Sequence, residues 1–182
     1  MKRPLSLFLT LALTLALTAC GSPAGQTGSD SIPDGGVSVP ASPEASAPAE
    51  NPETPYTSDD LNYNDSSSRS GREMDDPDAR PAISGSVDNM EQYDVIFLGY
   101  PIWWGQVPKI IYTFLESYDL GGKTIVPFCT SGSSGIGSSA SNLHNLASNA
   151  IWLNGQRFSG GASRSTVESW VNGLGLTLTP AA

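Results

Sequence analysis

The stretch that most constrains the fold runs from residue 94 to residue 105 and reads Asp-Val-Ile-Phe-Leu-Gly-Tyr-Pro-Ile-Trp-Trp-Gly. Its apolar run is short and rich in β-branched and aromatic residues, and a Gly-Tyr-Pro sequence ends it. Such a run predicts a strand over residues 95–100 that is buried on both faces, as in a parallel sheet. Trp103 and Trp104 then follow the carboxyl end of this strand, where open α/β sheets bind ligands. The strand and its tryptophan turn therefore predict a binding edge in an α/β fold.

Downstream of this strand, helical and extended patterns alternate. Ile110, Ile111 and Phe114 form an apolar stripe with helical spacing, which predicts a helix over residues 107–118. The other predicted elements are a short helix over 87–93, a strand over 123–129, a Gly/Ser loop over 130–137, a helix over 138–150, a strand over 151–158, and a last helix that opens with a capping box from Ser165 to Glu168 and stops at Gly175. This alternation predicts parallel βαβ units in one three-layer α/β domain.

Residues 1–19 have the pattern of a signal peptide. Lys2 and Arg3 precede an apolar run that ends at Ala19 and is too short to span a membrane comfortably. Cys20 follows at the small-residue site where cleavage is expected. The Leu-Thr-Ala-Cys sequence resembles a bacterial lipobox, which implies export, cleavage before Cys20, and a lipid on its thiol that anchors the chain at the extracytoplasmic side of the cell membrane. An ordinary secretory signal with an incidental cysteine is the alternative.

Charge restricts the partners of the processed chain. Without Lys2 and Arg3 the basic residues fall from 9 to 7 against 18 acidic ones, so the formal charge changes from −9 to −11. This balance argues against nucleic-acid binding and against docking on anionic lipid by charge. A covalent lipid would therefore be what holds the chain at the membrane.

The rest of the sequence predicts a tether and a single domain without a metal. Residues 20–55 are rich in Gly, Ser, Pro, Ala and acidic residues, which predicts a disordered tether before a domain over residues 56–178. The only cysteines are Cys20 and Cys129, and the only histidine is His144. A lipid on Cys20 would leave no disulfide, and one histidine excludes a multi-histidine metal site.

Four motifs follow one another in an order that matches a known family. They are Gly-Tyr-Pro-Ile-Trp-Trp-Gly over 99–105, Phe-Leu-Glu-Ser-Tyr-Asp over 114–119, Pro-Phe-Cys-Thr-Ser-Gly-Ser-Ser-Gly-Ile-Gly over 127–137, and the last helix with its Ser, Glu and Trp. Together they resemble the flavodoxin-like FMN proteins, in the bacterial branch related to NAD(P)H:quinone reductases. The segment over 61–74 also fits, so the resemblance extends over residues 51–177.

The resemblance implies a flavodoxin-like three-layer parallel sheet and FMN as the cofactor. It also implies electron transfer or quinone/NAD(P)H-type reduction, with a redox partner protein or a quinone. In the family, the loop after one strand holds the isoalloxazine ring, and the loop after the next approaches its pyrimidine end through backbone amides. Carried over, the first loop is Pro101, Ile102, Trp103, Trp104 and Gly105, and the second is Thr130, Ser131, Gly132, Ser133, Ser134 and Gly135.

One part of the family pattern is missing from residues 20–60. They contain no apolar run of strand length and no Ser/Thr-rich loop that could bind the FMN phosphate at a helix N-terminus. The expected fold is therefore N-terminally truncated, with about three strands and flanking helices, and the strand at Val95 would have an open apolar edge. FMN binding is then expected to be weak or partner-dependent. A decayed copy, an incomplete gene model, and a complex in which a second chain completes the sheet all stay open.

Other interpretations of the same residues also stay open. A non-catalytic remnant that serves as a surface interaction module is the alternative to a redox role. The two tryptophans would then be core or interface residues. Residues 131–139 could form a phosphate loop, although they lack the Gly-Lys-Ser/Thr ending. Cys129 and His144 could pair as nucleophile and base, but a buried structural thiol is favoured. The cationic side chains of Arg69, Arg72 and Arg80 could contact a substrate or make ion pairs within loops.

Overall fold

The residues that the structure describes form a five-stranded parallel sheet with a small separate ribbon. The computed structural model describes the backbone of residues 6–10 and residues 51–178. In chain order the strands are β1 (Ser6–Thr10), β2 (Asn51–Pro52), β3 (Ile83–Ser84), β4 (Val95–Pro101), β5 (Thr124–Thr130), β6 (Ile151–Trp152) and β7 (Gln156–Phe158). The order in the sheet is β1-β4-β5, and both β6 and β7 pair with β5. β2 and β3 form a separate antiparallel ribbon.

The pair β4 and β5 forms the centre of the sheet, and the sequence predicts both of these strands. Their register runs from Val95 opposite Thr124 to Pro101 opposite Thr130, so both strands end at the same edge. Every residue from Val95 to Tyr100 is buried, which confirms a strand covered on both faces. A Cβ on Gly99 would lie 2.3 Å from the Phe128 ring, so only glycine lets that ring cross the strand.

β1 lies beside β4, in the position where the sequence predicted an open edge. Ser6–Thr10 pairs in parallel with Val95–Gly99. The expectation that β4 has no neighbour is therefore wrong for the chain with its N-terminus in place. A short continuous apolar run fits a buried strand as well as the core of an export signal, and the sequence alone does not separate the two. Cys20 and residues 11–50 lie outside the described residues, so the signal peptide, the lipid and most of the tether stay predictions.

The helices are shorter than the sequence patterns predicted. They are α1 (Arg69–Asp75), α2 (Ile110–Glu116) and α3 (Arg164–Gly173), with 3-10 helices at Met90–Gln92 and Ser141–Ala147. The α-helix predicted over 138–150 is a 3-10 helix because its Ser and Asn side chains favour turns over a continued α-helix. The predicted strand over 151–158 is likewise divided into β6 and β7.

The start of α3 also differs from the prediction. The Ser163 hydroxyl, rather than that of Ser165, caps the helix by accepting a hydrogen bond from the Thr166 amide at 3.2 Å. The predicted capping box is wrong because Glu168 pairs with Arg164 at 2.7 Å instead of returning to the cap. The predicted stop is confirmed, since the residue after the C-cap is glycine with φ +67°.

Side chains on the two faces of the sheet form separate apolar clusters. Ile96 and Leu98 belong to the larger cluster, which α2 and the second 3-10 helix cover. Phe97 and Val126 point to the opposite face and pack under α3, where Trp170 lies edge-on to Phe97 at 6.0 Å. The sheet is thus covered on both sides, and the edge at the carboxyl ends of β4 and β5 is left to the loops.

Candidate functional site

The turn after β4 is tight and has an unusual backbone. Trp103 and Gln106 exchange two backbone hydrogen bonds, of 2.9 and 2.8 Å, and the two residues between them have positive φ, +50° at Trp104 and +77° at Gly105. These features define a hairpin turn with two left-handed central residues. Glycine adopts that conformation freely, whereas an aromatic residue does so at a cost. A bulky side chain is therefore held at a strained position at the predicted binding edge.

The two tryptophans occupy different environments. Trp103 is 4% exposed, and its ring meets that of Tyr56 edge-on at 4.8 Å. Trp104 is 37% exposed, and its ring lies 5.2 Å from that of Tyr63, which is itself exposed. The Trp104 Nε1 donates to the Ser70 hydroxyl at 3.2 Å, so its indole is fixed although it faces solvent. Trp104 is the indole that a ligand at this edge could stack on, whereas Trp103 is packed in the interior against Tyr56.

The segment that supports the tryptophan turn is held by a half-buried polar cluster. The Arg69 guanidinium lies 3.9 Å over the Tyr56 ring and pairs with Glu73 at 2.7 Å. The Tyr56 hydroxyl donates to the same carboxylate. Burial, followed by the hydrogen bond to Glu73, raises the pKa of Tyr56 well above its usual range. This cluster fixes α1 against the turn, and it answers one open question: Arg69 makes an ion pair within its own segment.

The second predicted loop begins beside the first. The Ile102 amide donates to the Thr130 carbonyl at 3.1 Å, so the two loops leave the sheet together. Residues 132–135 are exposed, and their four backbone N–H groups have no acceptor among the residues that the structure describes. Backbone amides that converge at a strand end and are left free can donate to a ligand.

Three further hydrogen bonds support the two loops. The buried Ser139 hydroxyl lies 3.1 Å from the Tyr100 hydroxyl and donates to the Ile136 carbonyl at 2.6 Å. The Asn142 side chain donates to that of Gln106 at 2.8 Å. Burial raises the pKa of Tyr100 to about 12, so this phenol stays protonated beneath the site. These hydrogen bonds therefore hold the two loops beside each other.

Sequence reasoning missed Arg157, which lies in β7. Its guanidinium makes three hydrogen bonds with the start of the second loop: to the Ser131 hydroxyl at 3.1 Å, the Ser131 carbonyl at 2.6 Å and the Gly132 carbonyl at 2.8 Å. The register places it opposite Cys129. The only signal in the sequence was a charged residue within a predicted strand, which is uncommon in a buried sheet.

The other candidate residues lie away from this edge or in packed positions. Cys129 is a buried free thiol whose pKa is raised by burial, and His144 is exposed and faces the Trp152 ring at 4.7 Å. Arg80 pairs with Glu116 on α2 at 2.7 Å, and Arg72 donates to a backbone carbonyl in its own loop. Among the described residues, no group of three His, Cys, Asp or Glu side chains is placed to hold a metal ion.

An apolar cleft of about 250 Å³ lies on the α3 side of the same edge. Its lining includes Phe97, Phe128, Phe158 and Trp170, and Thr130 is shared with the second loop. The cleft is smaller than most ligand pockets and has no charged lining residue. The tryptophan turn and the free amides therefore form the candidate site, and the cleft adjoins it.

A three-layer parallel sheet with its loops gathered at the carboxyl edge defines an open α/β protein of the kind that binds ligands at that edge. A family model described as flavodoxin matches residues 40–174. The chain therefore belongs to the flavodoxin family. No curated protein matches the sequence.

Two solved structures resemble the chain over most of its length. A presumed flavoprotein from Bacteroides eggerthii is 43% identical, with a TM-score of 0.62, over 69% of this chain and 78% of that one. A presumed flavoprotein from Bacteroides uniformis is also 43% identical, with a TM-score of 0.63, over 66% of this chain and 77% of that one. Both similarities support the flavodoxin-like α/β fold and the family.

Proposed function

We propose that the chain binds FMN at the tryptophan turn and the second loop, and that it acts in electron transfer or quinone/NAD(P)H-type reduction. The observation that carries the proposal is that the exposed Trp104 ring and the four free amides of residues 132–135 lie on two loops that leave the same edge of the sheet side by side. A flavin has a flat aromatic face for the indole and carbonyl oxygens for the amides. When bound, FMN supplies one- and two-electron chemistry. Family membership and the two flavoprotein neighbours support this assignment.

The residues of the chain would act by binding and by exclusion of water. Trp104 would cover one face of the ring, and the loop amides would orient its pyrimidine end. Tyr100 and Ser139 would form a dry, hydrogen-bonded floor, because both are buried below the loops. An electrostatic environment fixed in this way tunes a bound cofactor without a side chain that reacts.

The test is a titration of the full chain with FMN and, in parallel, with riboflavin, which has the ring but no phosphate. Because the ring loops are the contacts that support the proposal, we expect both flavins to bind with affinities within about threefold, less than 1 kcal/mol apart. Quenched flavin fluorescence and co-elution in gel filtration would measure both. No quenching by either flavin would refute the proposal. Much tighter binding of FMN would show that the phosphate has a binding site of its own in addition to the ring loops.

A second candidate function is a non-catalytic surface module. It is favoured by the sequence of residues 20–60, which has no phosphate-binding loop of the family kind. A protein that binds neither flavin but melts cooperatively would support this second function, since the fold would then be kept without the cofactor.

We also propose export and a lipid anchor at Cys20 on the outer face of the cytoplasmic membrane. The charged start, the apolar run and the Leu-Thr-Ala-Cys sequence support it. Within the described part of the chain, no helix has the length and apolar character needed to cross a bilayer. Cleavage would remove β1 and open the edge of β4, which a second chain or a redox partner would then cover. Mass spectrometry of the cell-purified protein tests this: an unmodified N-terminus that retains residues 1–19 would refute it.

A further inference from the structure

The second loop has a positively charged support on its inner side. Arg157 is half-buried, and its guanidinium reaches two consecutive carbonyls, those of Ser131 and Gly132, at 2.6 and 2.8 Å. A rigid guanidinium fork that spans two carbonyls restricts both peptide planes at once. The Ser131 amide is also fixed, because it donates to the Phe158 carbonyl at 3.3 Å. The loop therefore enters the site with its carbonyls turned inward, toward Arg157.

No carboxylate in the described part of the chain pairs with Arg157. Three other arginines have such a partner within 4 Å: Arg69 with Glu73, Arg80 with Glu116, and Arg164 with Glu168. Within residues 51–178, Arg157 has no ion pair. Arg72, Lys109 and Lys123 also have no ion pair among these residues, so what distinguishes Arg157 is its place on the inner side of the second loop. Its position behind free amides leaves a positive field at the loop.

We propose that Arg157 is a positioning residue that presents the amides of residues 132–135 to the ligand and makes the site prefer an anionic ring edge. Arg157 holds the Ser131 and Gly132 carbonyls on the inner side of the loop. The N–H groups that follow them are therefore free to point to the outer side, toward a ligand. A carbonyl that accepts from a cation also polarises its peptide unit, which strengthens the N–H as a donor. The proposal rests on flavin binding at this site. Its consequence is that reduced flavin, which is more negatively charged than oxidised flavin at its pyrimidine end, is held more tightly.

Three substitutions in the full chain separate charge from geometry. Arg157→Gln removes the charge, Arg157→Lys keeps the charge but loses the fork, and Arg164→Gln is the matched control, because Arg164 is exposed on α3 and pairs only with Glu168. Ser131→Ala removes the hydroxyl that accepts from Arg157 and donates to the Ser134 carbonyl, and it leaves the charge in place. We call the hydrogen bonds from Arg157 to Ser131 and Gly132 the clamp. Ser131→Ala serves as the second test of the clamp if Arg157→Gln does not fold.

The first readout needs no ligand. Hydrogen exchange of the Ser131 amide, which donates to the Phe158 carbonyl at the start of the loop, is measured in the flavin-free protein. We expect Arg157→Gln to exchange at least about tenfold faster there, the loss of about 1.4 kcal/mol of local stability. Ser131→Ala should show a smaller increase, and Arg164→Gln should match the wild type. Wild-type protection of this loop in Arg157→Gln, or in Ser131→Ala if the first variant is unfolded, would overturn the clamp.

The second readout is the affinity for oxidised and for dithionite-reduced FMN. We expect Arg157→Gln to lose about tenfold more affinity for the reduced form, which corresponds to about 30 mV for a two-electron couple. Arg157→Lys should keep most of that preference although its loop exchanges faster. Equal losses for both forms would overturn the electrostatic part. A wild type that binds no flavin would refute the proposed function, while the exchange measurement would still decide whether Arg157 holds the loop.

Discussion

The two adjacent tryptophans should respond to alanine in opposite ways. Trp103 is 4% exposed and packs edge-on against the Tyr56 ring at 4.8 Å. Trp103→Ala therefore deletes a buried indole and leaves a cavity, which costs about 3–5 kcal/mol. Each kcal/mol lowers the Tm of a domain of this size by roughly 4 °C. We expect the Tm of Trp103→Ala to fall by about 12–20 °C.

Trp104→Ala should instead affect the ligand more than the fold. The contacts it loses are the 3.2 Å hydrogen bond to Ser70, about 1 kcal/mol, and the ring contact with Tyr63, about 0.5–1.5 kcal/mol. The expected fall in Tm is therefore less than about 10 °C. Loss of the stacking surface should weaken FMN binding by up to about tenfold, since an aromatic pair contributes at most about 1.5 kcal/mol beyond buried area.

Thermal melting by circular dichroism and FMN titration at a temperature well below both melts measure the two effects separately. Trp104→Gly is the control for backbone strain. Because residue 104 has φ +50°, glycine there should be more stable than alanine by roughly 1 kcal/mol. Equal melting of the two alanine variants would refute the assignment of Trp103 to the interior and Trp104 to the surface. Wild-type FMN affinity in Trp104→Ala would refute its role as a ring contact.

Three further predictions test the frame around the site. Gly99→Ala places a Cβ against the phenyl ring that crosses β4 and should cost about 1–3 kcal/mol, whereas Gly173→Ala, at an open position in α3, should be neutral or stabilise by up to about 1 kcal/mol in chemical denaturation. The Arg80 guanidinium lowers the pKa of Glu116, so the pair stabilises the fold above the unfolded pKa and stops doing so as pH falls through the lower folded value. Glu116→Gln should therefore cost a few tenths of a kcal/mol at pH 7, where solvent screens the pair, and nothing at pH 2. Burial raises the pKa of Cys129, so iodoacetamide at pH 8 should label it in denaturant and not in the folded protein; rapid labelling of the native state would contradict its burial.

The central strands could be predicted from sequence because their signal is local. A continuous apolar run ended by glycine and proline has few alternatives to a buried strand, and both β4 and β5 lie within a residue of the predicted bounds. The helix over 138–150 was overestimated because its few apolar residues suggested helical spacing, while its serines and asparagines favoured turns. Element type was thus clearest where one residue class dominated the window.

The roles of Trp103, Trp104 and Arg157 could not be read from sequence. Which of two adjacent indoles faces solvent depends on the turn type. Gly105 was the one residue whose type suggested a positive φ in this turn. The Arg157 clamp joins residues that are 26 positions apart, through pairing of β7 with β5. Such a contact is set by tertiary register, for which a single sequence carries no local pattern.

The N-terminal strand links the location of the protein to the completeness of its sheet. The Asp94 carbonyl and the Ile102 amide both form hydrogen bonds with β5. Because the backbone groups of successive residues in a strand point to opposite sides, every second residue from Val95 to Pro101 directs its N–H and C=O toward β1. Pro101 has no N–H to leave unpaired on that side, which is where a proline in a strand is tolerated. Cleavage before Cys20 would leave the remaining backbone groups of β4 on an open, apolar edge. An anchored protein therefore needs a second chain or partner at this edge, and a chain that keeps residues 6–10 does not. Gel filtration of a chain that begins at Gly21 should accordingly show self-association, which addition of a peptide spanning residues 5–11 should reverse; a stable monomer without the peptide would contradict this reasoning.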